Sequence, residues 1–147
     1  QSLDWHLLQY KEHEGIRLLL RDLNRLYESE PALGRNDLNP EAFLWINAHD
    51  ADNSVLTYIR RDPATGAQLV VAGNYTPVAR GGYRVGVPAP GFYRERINTN
   101  SRYYGGTGEG NDGGRASEPV PANGFAQSLL LNLPPRSTTI FKREDAV

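Results

Sequence analysis

The 147 residues contain no cysteine, so the chain forms no disulfide and offers no thiolate as a metal ligand. That usage fits a reducing cytoplasm, which is the expected compartment. No apolar run approaches the ~20 residues needed to cross a bilayer, so no membrane partner is expected. An excess of one charge is also missing. The formal net charge of −1 removes the electrostatic case for nucleic acid or for an anionic membrane surface. Lysine is scarce, with Lys11 and Lys142 alone, and the remaining basic charge is arginine. A start methionine is absent, and no signal or transit pattern follows Gln1. What remains is one domain's worth of chain, long enough to bury roughly 70% of its unfolded surface.

The most informative stretch that is present is N-terminal. Ile16, Leu19, Leu20, Leu23, Leu26 and Tyr27 recur at three- and four-residue spacing and predict an amphipathic helix. Arg17, Arg21, Asp22, Asn24, Arg25 and Glu28 fill its other face, and Pro31 is expected to stop it. Nothing downstream reads as a second helix to pack beside it. Its partner is therefore expected in a part of the protein outside these residues. A helix that stays folded without it is expected to pack on the strands that follow or on a second copy of the chain.

After Pro31 the turn formers Gly34, Asn36, Asp37, Asn39 and Pro40 predict a connector, and strand signals then dominate. Candidate strands run over residues 43–46, 54–61, 68–72, 83–87, 92–97, 128–133 and 137–142. A turn is expected over residues 49–53 and a hairpin turn over residues 62–66. About seven short strands at regular spacing predict a mainly β fold, an antiparallel β-sandwich. Between Asn98 and Asn123, six glycines among Asn, Asp, Ser and Pro predict a long irregular loop, either functional or without order.

The chemistry-bearing motifs are weak. Residues 108–113 fit a dinucleotide fingerprint in letters only, because Glu118-Pro119-Val120-Pro121 cannot supply the helix that would face the phosphates. His6, His13 and His49 have no helical metal-site spacing, so no metal and no cofactor is expected. No nucleophile elbow occurs. Asp50 with Asp52, and Glu12 with Glu14 near Asp4, read as turn and helix-start residues. No catalytic residue is expected in this chain. Asn74-Tyr75-Thr76 is a sequon in letters but reads as strand. Aromatic faces can stack on sugar rings, with core packing as the alternative. Trp45 stands out because its neighbours Leu44 and Ile46 point to the opposite strand face, which leaves one of the two faces for solvent.

Taken whole, the chain resembles the C-terminal end of bacterial 1,4-α-glucan branching enzymes of the α-amylase superfamily. The resemblance rests on several words in family order. Leu3-Asp4-Trp5-His6-Leu7-Leu8 opens them, followed by Val55-Leu56-Thr57-Tyr58-Ile59-Arg60-Arg61-Asp62 and Asn74-Tyr75-Thr76-Pro77-Val78. Gly82-Tyr83-Arg84-Val85-Gly86-Val87-Pro88, Asn98-Thr99-Asn100-Ser101 and Tyr104-Gly105-Gly106-Thr107-Gly108 come next. Ser128-Leu129-Leu130-Leu131-Asn132-Leu133-Pro134-Pro135 closes the series. Residues 11–14 and 109–117 depart from the family pattern.

The resemblance implies that residues 1–30 end a catalytic (β/α)8 barrel, with the helix stripe against the barrel wall. Residues 31–36 would then be a connector and residues 37–147 the C-terminal β-sandwich. It implies an α-glucan partner and an upstream catalytic barrel. The implied reaction is a retaining transfer of α-1,4-glucan segments to 6-hydroxyls, through a glycosyl-enzyme intermediate. Its three carboxylates lie upstream, so this segment alone is expected to be inactive. Trp45 is the candidate glucan contact. Asp4, Trp5 and His6 would lie where substrate-facing barrel loops gather, or would only anchor the last loop. Three alternatives stand beside this reading: a stand-alone carbohydrate-binding sandwich, the tail of a trehalose-forming or debranching relative, and a structural domain with no sugar contact.

Overall fold

A computed structural model describes residues 4–34 and 38–144. Leu3 of the first family word and Asn36 and Asp37 of the connector lie outside the described residues. A short 3-10 turn (Trp5–Gln9) leads into α1 (Lys11–Ser29) and the single turn α2 (Pro31–Gly34). Eight strands follow: β1 (Phe43–Asp50), β2 (Val55–Arg61), β3 (Gln68–Asn74), β4 (Arg80–Val87), β5 (Phe92–Asn98), β6 (Gly114–Ala116), β7 (Gln127–Leu133) and β8 (Ser137–Arg143).

The strands form a six-stranded sheet in the order β1-β2-β3-β8-β5-β6 and a two-stranded sheet β4-β7, with every pairing antiparallel. Their inner faces meet in one core built from Val55, Ile59, Val70, Val85, Leu129, Leu131 and Phe141, among others. This is the expected sandwich. A third layer lies against it, the helix resting on the sandwich as expected for a helix that stays folded here. Leu69, Val71, Ile97 and Ile140 on the outer face of the large sheet form a second apolar cluster with Leu19, Leu23 and Leu26 of α1. β3 is thus covered on both faces, and Leu69-Val70-Val71-Ala72 reads as one unbroken apolar run for that reason.

The absence of a partner helix therefore did not leave α1 without a surface to pack on, because a sheet face serves as well. The stripe divides. Leu19, Leu23 and Leu26 face the sheet, while Ile16, Leu20 and Tyr27 stay more than half exposed. Pro31 ends α1 through the residue before it. Glu30 adopts φ −106 and ψ 109, the extended conformation that a following proline ring imposes, and Pro31 then opens the next turn.

The glycine-rich stretch is ordered. It holds a 3-10 turn (Arg102–Tyr104), β6 paired with β5, and two isolated bridges, Glu118 with Ser128 and Ala122 with Phe125. Asn111 is fully buried there. Its Nδ2 donates to the Asn132 carbonyl at 3.0 Å and its Oδ1 accepts from Asn132 N–H at 2.8 Å, so the side chain takes the place of a paired strand against β7. Gly114 at φ 153 lies so close to the Tyr93 carbonyl that a Cβ would overlap it. Residues 108–113 run into β6 and not into a helix.

Of the two expected turns, one needed adjustment at its edge. His49 and Asp50 belong to β1, and the turn begins at Ala51, where the Asp50 carboxylate accepts from Asn53 N–H and Nδ2. The turn over residues 62–66 is as expected, with Asp62 accepting from Ala64 N–H and Thr65 Oγ1 and Gly66 at φ 74.

Candidate functional site

β1 is an edge strand whose Trp45 side chain lies on the outer face of the large sheet. The register runs Trp45–Tyr58–Val71–Ile140 across four strands, so Trp45 shares a face with the cluster under α1. Over β1 and β2 that face carries aromatic rings. Phe43 stacks on Tyr58 with centroids 5.1 Å apart, and Trp45 meets both edge-on at 4.8 and 5.9 Å. Trp45 remains 49% exposed. The Tyr75 ring, also exposed, lies against Gly73, where a side chain would displace it. Ile46 points the other way into the core, and Leu44 also takes the opposite face. The solvent side of the strand is therefore the tryptophan side, and partly the Leu44 side as well. The result is a rigid apolar platform with polar edges, able to stack a flat apolar ligand face.

The Asp4 carbonyl accepts from Leu7 N–H at 3.0 Å and opens the first turn, with Trp5 and His6 exposed on it. This turn packs on α1. A groove of about 310 Å3 runs beside it, lined by Leu8, Gln9, Glu14, Arg102 and Tyr103. Trp45 and residues 4–6 are thus carried on different elements, and their side chains form no shared site in the contacts described.

Residue patterns missed the seam between α1 and the sandwich. Tyr104 Oη donates to Asp22 at 3.0 Å, and Arg21 Nη2 donates to Tyr103 Oη at 2.9 Å. Gly15 lies against the Tyr104 carbonyl, with no room for a Cβ. Further along, Lys142 Nζ reaches both carboxylate oxygens of buried Glu30 at 2.8 and 2.9 Å, with Arg96 4.0 Å away. The sequence signal was the adjacent pair Tyr103-Tyr104 in a stretch otherwise short of side chains.

The hydrogen bond from Arg21 holds Asp22 below the usual carboxylate range, and Tyr104 adds to it. Burial, helped by the bond to Asp22, pushes Tyr104 up to about 12. On the other side of the molecule the Tyr83 hydroxyl donates to Asp50 at 2.6 Å and lowers its pKa. Tyr83 itself is raised, first by burial and then by that bond. Both carboxylates are held ionised as acceptors. Neither is poised as the proton donor that cleavage of a glycosidic bond requires.

The three histidines are exposed, and among the described residues no three His, Asp or Glu side chains converge. Among the described residues no helix is long and apolar enough to cross a membrane. The sequon is closed from within. Asn74 is 1% exposed, and its Nδ2 donates to the carbonyls of Val78, Leu133 and Pro134.

Comparison with known proteins gives two results. The family model described as the α-amylase C-terminal all-β domain matches residues 45–144. The chain is also similar to proteins named 1,4-α-glucan branching enzyme GlgB. It is 54% identical to the one from Paramagnetospirillum magneticum over 97% of this chain and 19% of the relative. It is 46% identical to that of Aquifex aeolicus over 97% and 23%, and 47% identical to one of Prochlorococcus marinus over 96% and 19%. The chain spans about a fifth of the length of these relatives.

Proposed function

The chain belongs to the family of α-amylase C-terminal all-β domains, and from that premise we propose that it is the C-terminal, non-catalytic part of a glycogen branching enzyme. The parent protein transfers α-1,4-glucan segments to 6-hydroxyls with retention, using carboxylates that lie outside these residues. One observation carries the reading. The similarity to the Paramagnetospirillum enzyme covers 143 residues and so includes α1, which lies outside the 45–144 all-β match. Helix and sandwich thus go together in the relatives.

Residues 1–30 close the catalytic barrel, 31–36 connect, and 37–147 form the sandwich. α1 then works on both its sides. Leu19, Leu23 and Leu26 hold the sandwich, and the exposed Ile16, Leu20 and Tyr27 meet the barrel, which accounts for an apolar patch that a solitary module would avoid. The sandwich stabilises the barrel in the bacterial cytoplasm. The Trp45 platform stacks on a glucan chain held by the parent, and Asp4, Trp5 and His6 sit on the substrate side of the barrel end.

A branching assay tests this: iodine-stained amylose with isoamylase-released chain ends, run on the 147-residue chain and on the full-length product of its gene. Activity in the longer protein alone is expected. Activity in the short chain overturns the assignment.

A further inference from the structure

We propose that Asn123 is a self-modification site, an asparagine that converts spontaneously to aspartate and isoaspartate at a rate set by the fold. Asn123-Gly124 is the single Asn-Gly step in the sequence. The two residues form the tip of a tight hairpin, with φ 52 and 82, closed by the reciprocal backbone bonds between Ala122 and Phe125 at 3.0 and 2.9 Å. Both φ values are positive, as a type I′ turn requires, and such a turn leaves the N–H of its second central residue outside the hairpin pair. Asn123 is exposed.

The chemistry is internal to the turn. The Gly124 backbone nitrogen, losing its proton to base, bonds to Asn123 Cγ. The Cγ–Nδ2 bond breaks and ammonia leaves, closing a five-membered imide. Water then opens either imide carbonyl, giving aspartate or the chain-lengthened isoaspartate. Glycine at the next position matters because no Cβ obstructs the attack.

The fold restrains this step in two ways. Asn123 Oδ1 accepts from Gly86 N–H at 2.9 Å, which fixes the side chain on β4. The hairpin also rests on Gly86 itself, where a Cβ would overlap the Ala122 carbonyl and the Phe125 ring. At its other end the flap is pinned by Ser128 Oγ, which donates to the Val120 carbonyl at 2.6 Å. Attack on Cγ needs a backbone rotation at Asn123 that the closed turn does not allow, so reaction proceeds from the lifted flap. The two products differ in consequence. Aspartate keeps the acceptor for Gly86, whereas isoaspartate adds a backbone carbon to a two-residue turn and displaces the side-chain acceptor from Gly86 N–H.

The test is a timed incubation of the chain in mildly alkaline buffer, folded and in guanidinium, read by peptide mapping and enzymatic isoaspartate methylation. Loss of amide concentrated at Asn123 is expected, about tenfold or more slower in the folded chain because the flap must open first. Gly86→Ala and Ser128→Ala each speed the folded reaction toward the unfolded rate, and far-UV circular dichroism shows whether each variant keeps its fold. If Gly86→Ala unfolds, Ser128→Ala decides alone. Equal rates in the folded and unfolded wild-type chain overturn the proposal. So does earlier amide loss at Asn53 or Asn100, each followed by serine.

Discussion

The outer face of the large sheet carries two kinds of surface side by side. Over β3, β8 and β5 it is aliphatic, with Leu69, Val71, Ile140 and Ile97 sealed under α1. Over β1 and β2 it is aromatic and open, with Phe43, Trp45 and Tyr58 packed on one another and Trp45 facing solvent. Both halves belong to one continuous register. Flexible aliphatic chains mould to a helix, and burial is their whole contribution. Rings that hold one another in place keep their shape without a cover, and that property suits a surface meant to receive something else. The two halves should therefore answer mutation differently: in stability on the covered side, in binding on the open side.

The largest effect is expected at Leu26, which is 5% exposed and central to the contact between α1 and the sheet. Leu26→Ala should destabilise the chain by about 2–4 kcal/mol, transfer and cavity effects combined, as read by urea unfolding. The same change at Leu20, more than half exposed, should cost within about 0.5 kcal/mol in the isolated chain. Equal costs at the two positions would mean that α1 does not rest on the sheet through the leucines named here.

Next comes the charged latch. Glu30 is 4% exposed and leans on Lys142. Lys142→Met removes the direct partner and, among the described residues, leaves the buried carboxylate with Arg96 at 4.0 Å. The expected loss is about 1–3 kcal/mol, below the full cost of breaking a buried pair because the lysine side chain is 36% exposed. Glu30→Gln combined with Lys142→Met should recover part of the loss, since no charge is then left buried. A double-mutant cycle reads it.

Much of this fold was legible from residue order, for reasons that also explain the failures. Period-two alternation in β2, turn chemistry at residues 62–66 and the paired prolines before β8 are local signals, so the sandwich could be read. β6 is three residues, Gly114-Arg115-Ala116, with no alternation to detect. It exists because β5 offers an edge and Asn111 anchors the loop beside it. The helix itself was legible, but not its division into two stripes, because periodicity shows which face is apolar and not which neighbour covers it. Asp22 and Arg21 read as a solvated face and instead bond to tyrosines 82 residues away. At the candidate site Trp45 was visible through strand alternation alone. Phe43, which stacks beneath the platform on Tyr58, was read only as part of a strand start.

The seam between α1 and the loop at residues 102–104 should respond to pH in two directions. Asp22 is held ionised in the fold, so its contribution is present above its unfolded pKa and is lost as pH falls through the lowered folded value. Tyr104 is raised to about 12, so its contribution is complete below the ordinary tyrosine value near ~10 and is lost as pH rises from there towards about 12. Tyr104→Phe should reduce the alkaline loss and Asp22→Asn the acid loss, with Tyr83 and Asp50 supplying part of what remains. Both are measured as urea midpoints against pH. Unchanged pH profiles would mean that the seam contributes nothing to the docking of α1.

On the open half only a small effect on stability is expected, and the binding effect is the informative one. Trp45 keeps 49% of its surface in solvent, so Trp45→Ala forfeits little burial and should shift stability by about 1 kcal/mol or less. If the aromatic half exists to receive a glucan, the same substitution should weaken retention of the full-length enzyme on glycogen in affinity electrophoresis. Turnover of short oligosaccharides should stay nearly unchanged. Trp45→Phe should restore part of the retention, since a smaller ring still stacks. Unchanged glycogen retention in Trp45→Ala would assign the platform to packing, and the contrast between the two halves would then be one of cover only. A stability loss as large as that of Leu26→Ala would point the same way, because a ring that matters so much to the fold is part of the core it adjoins.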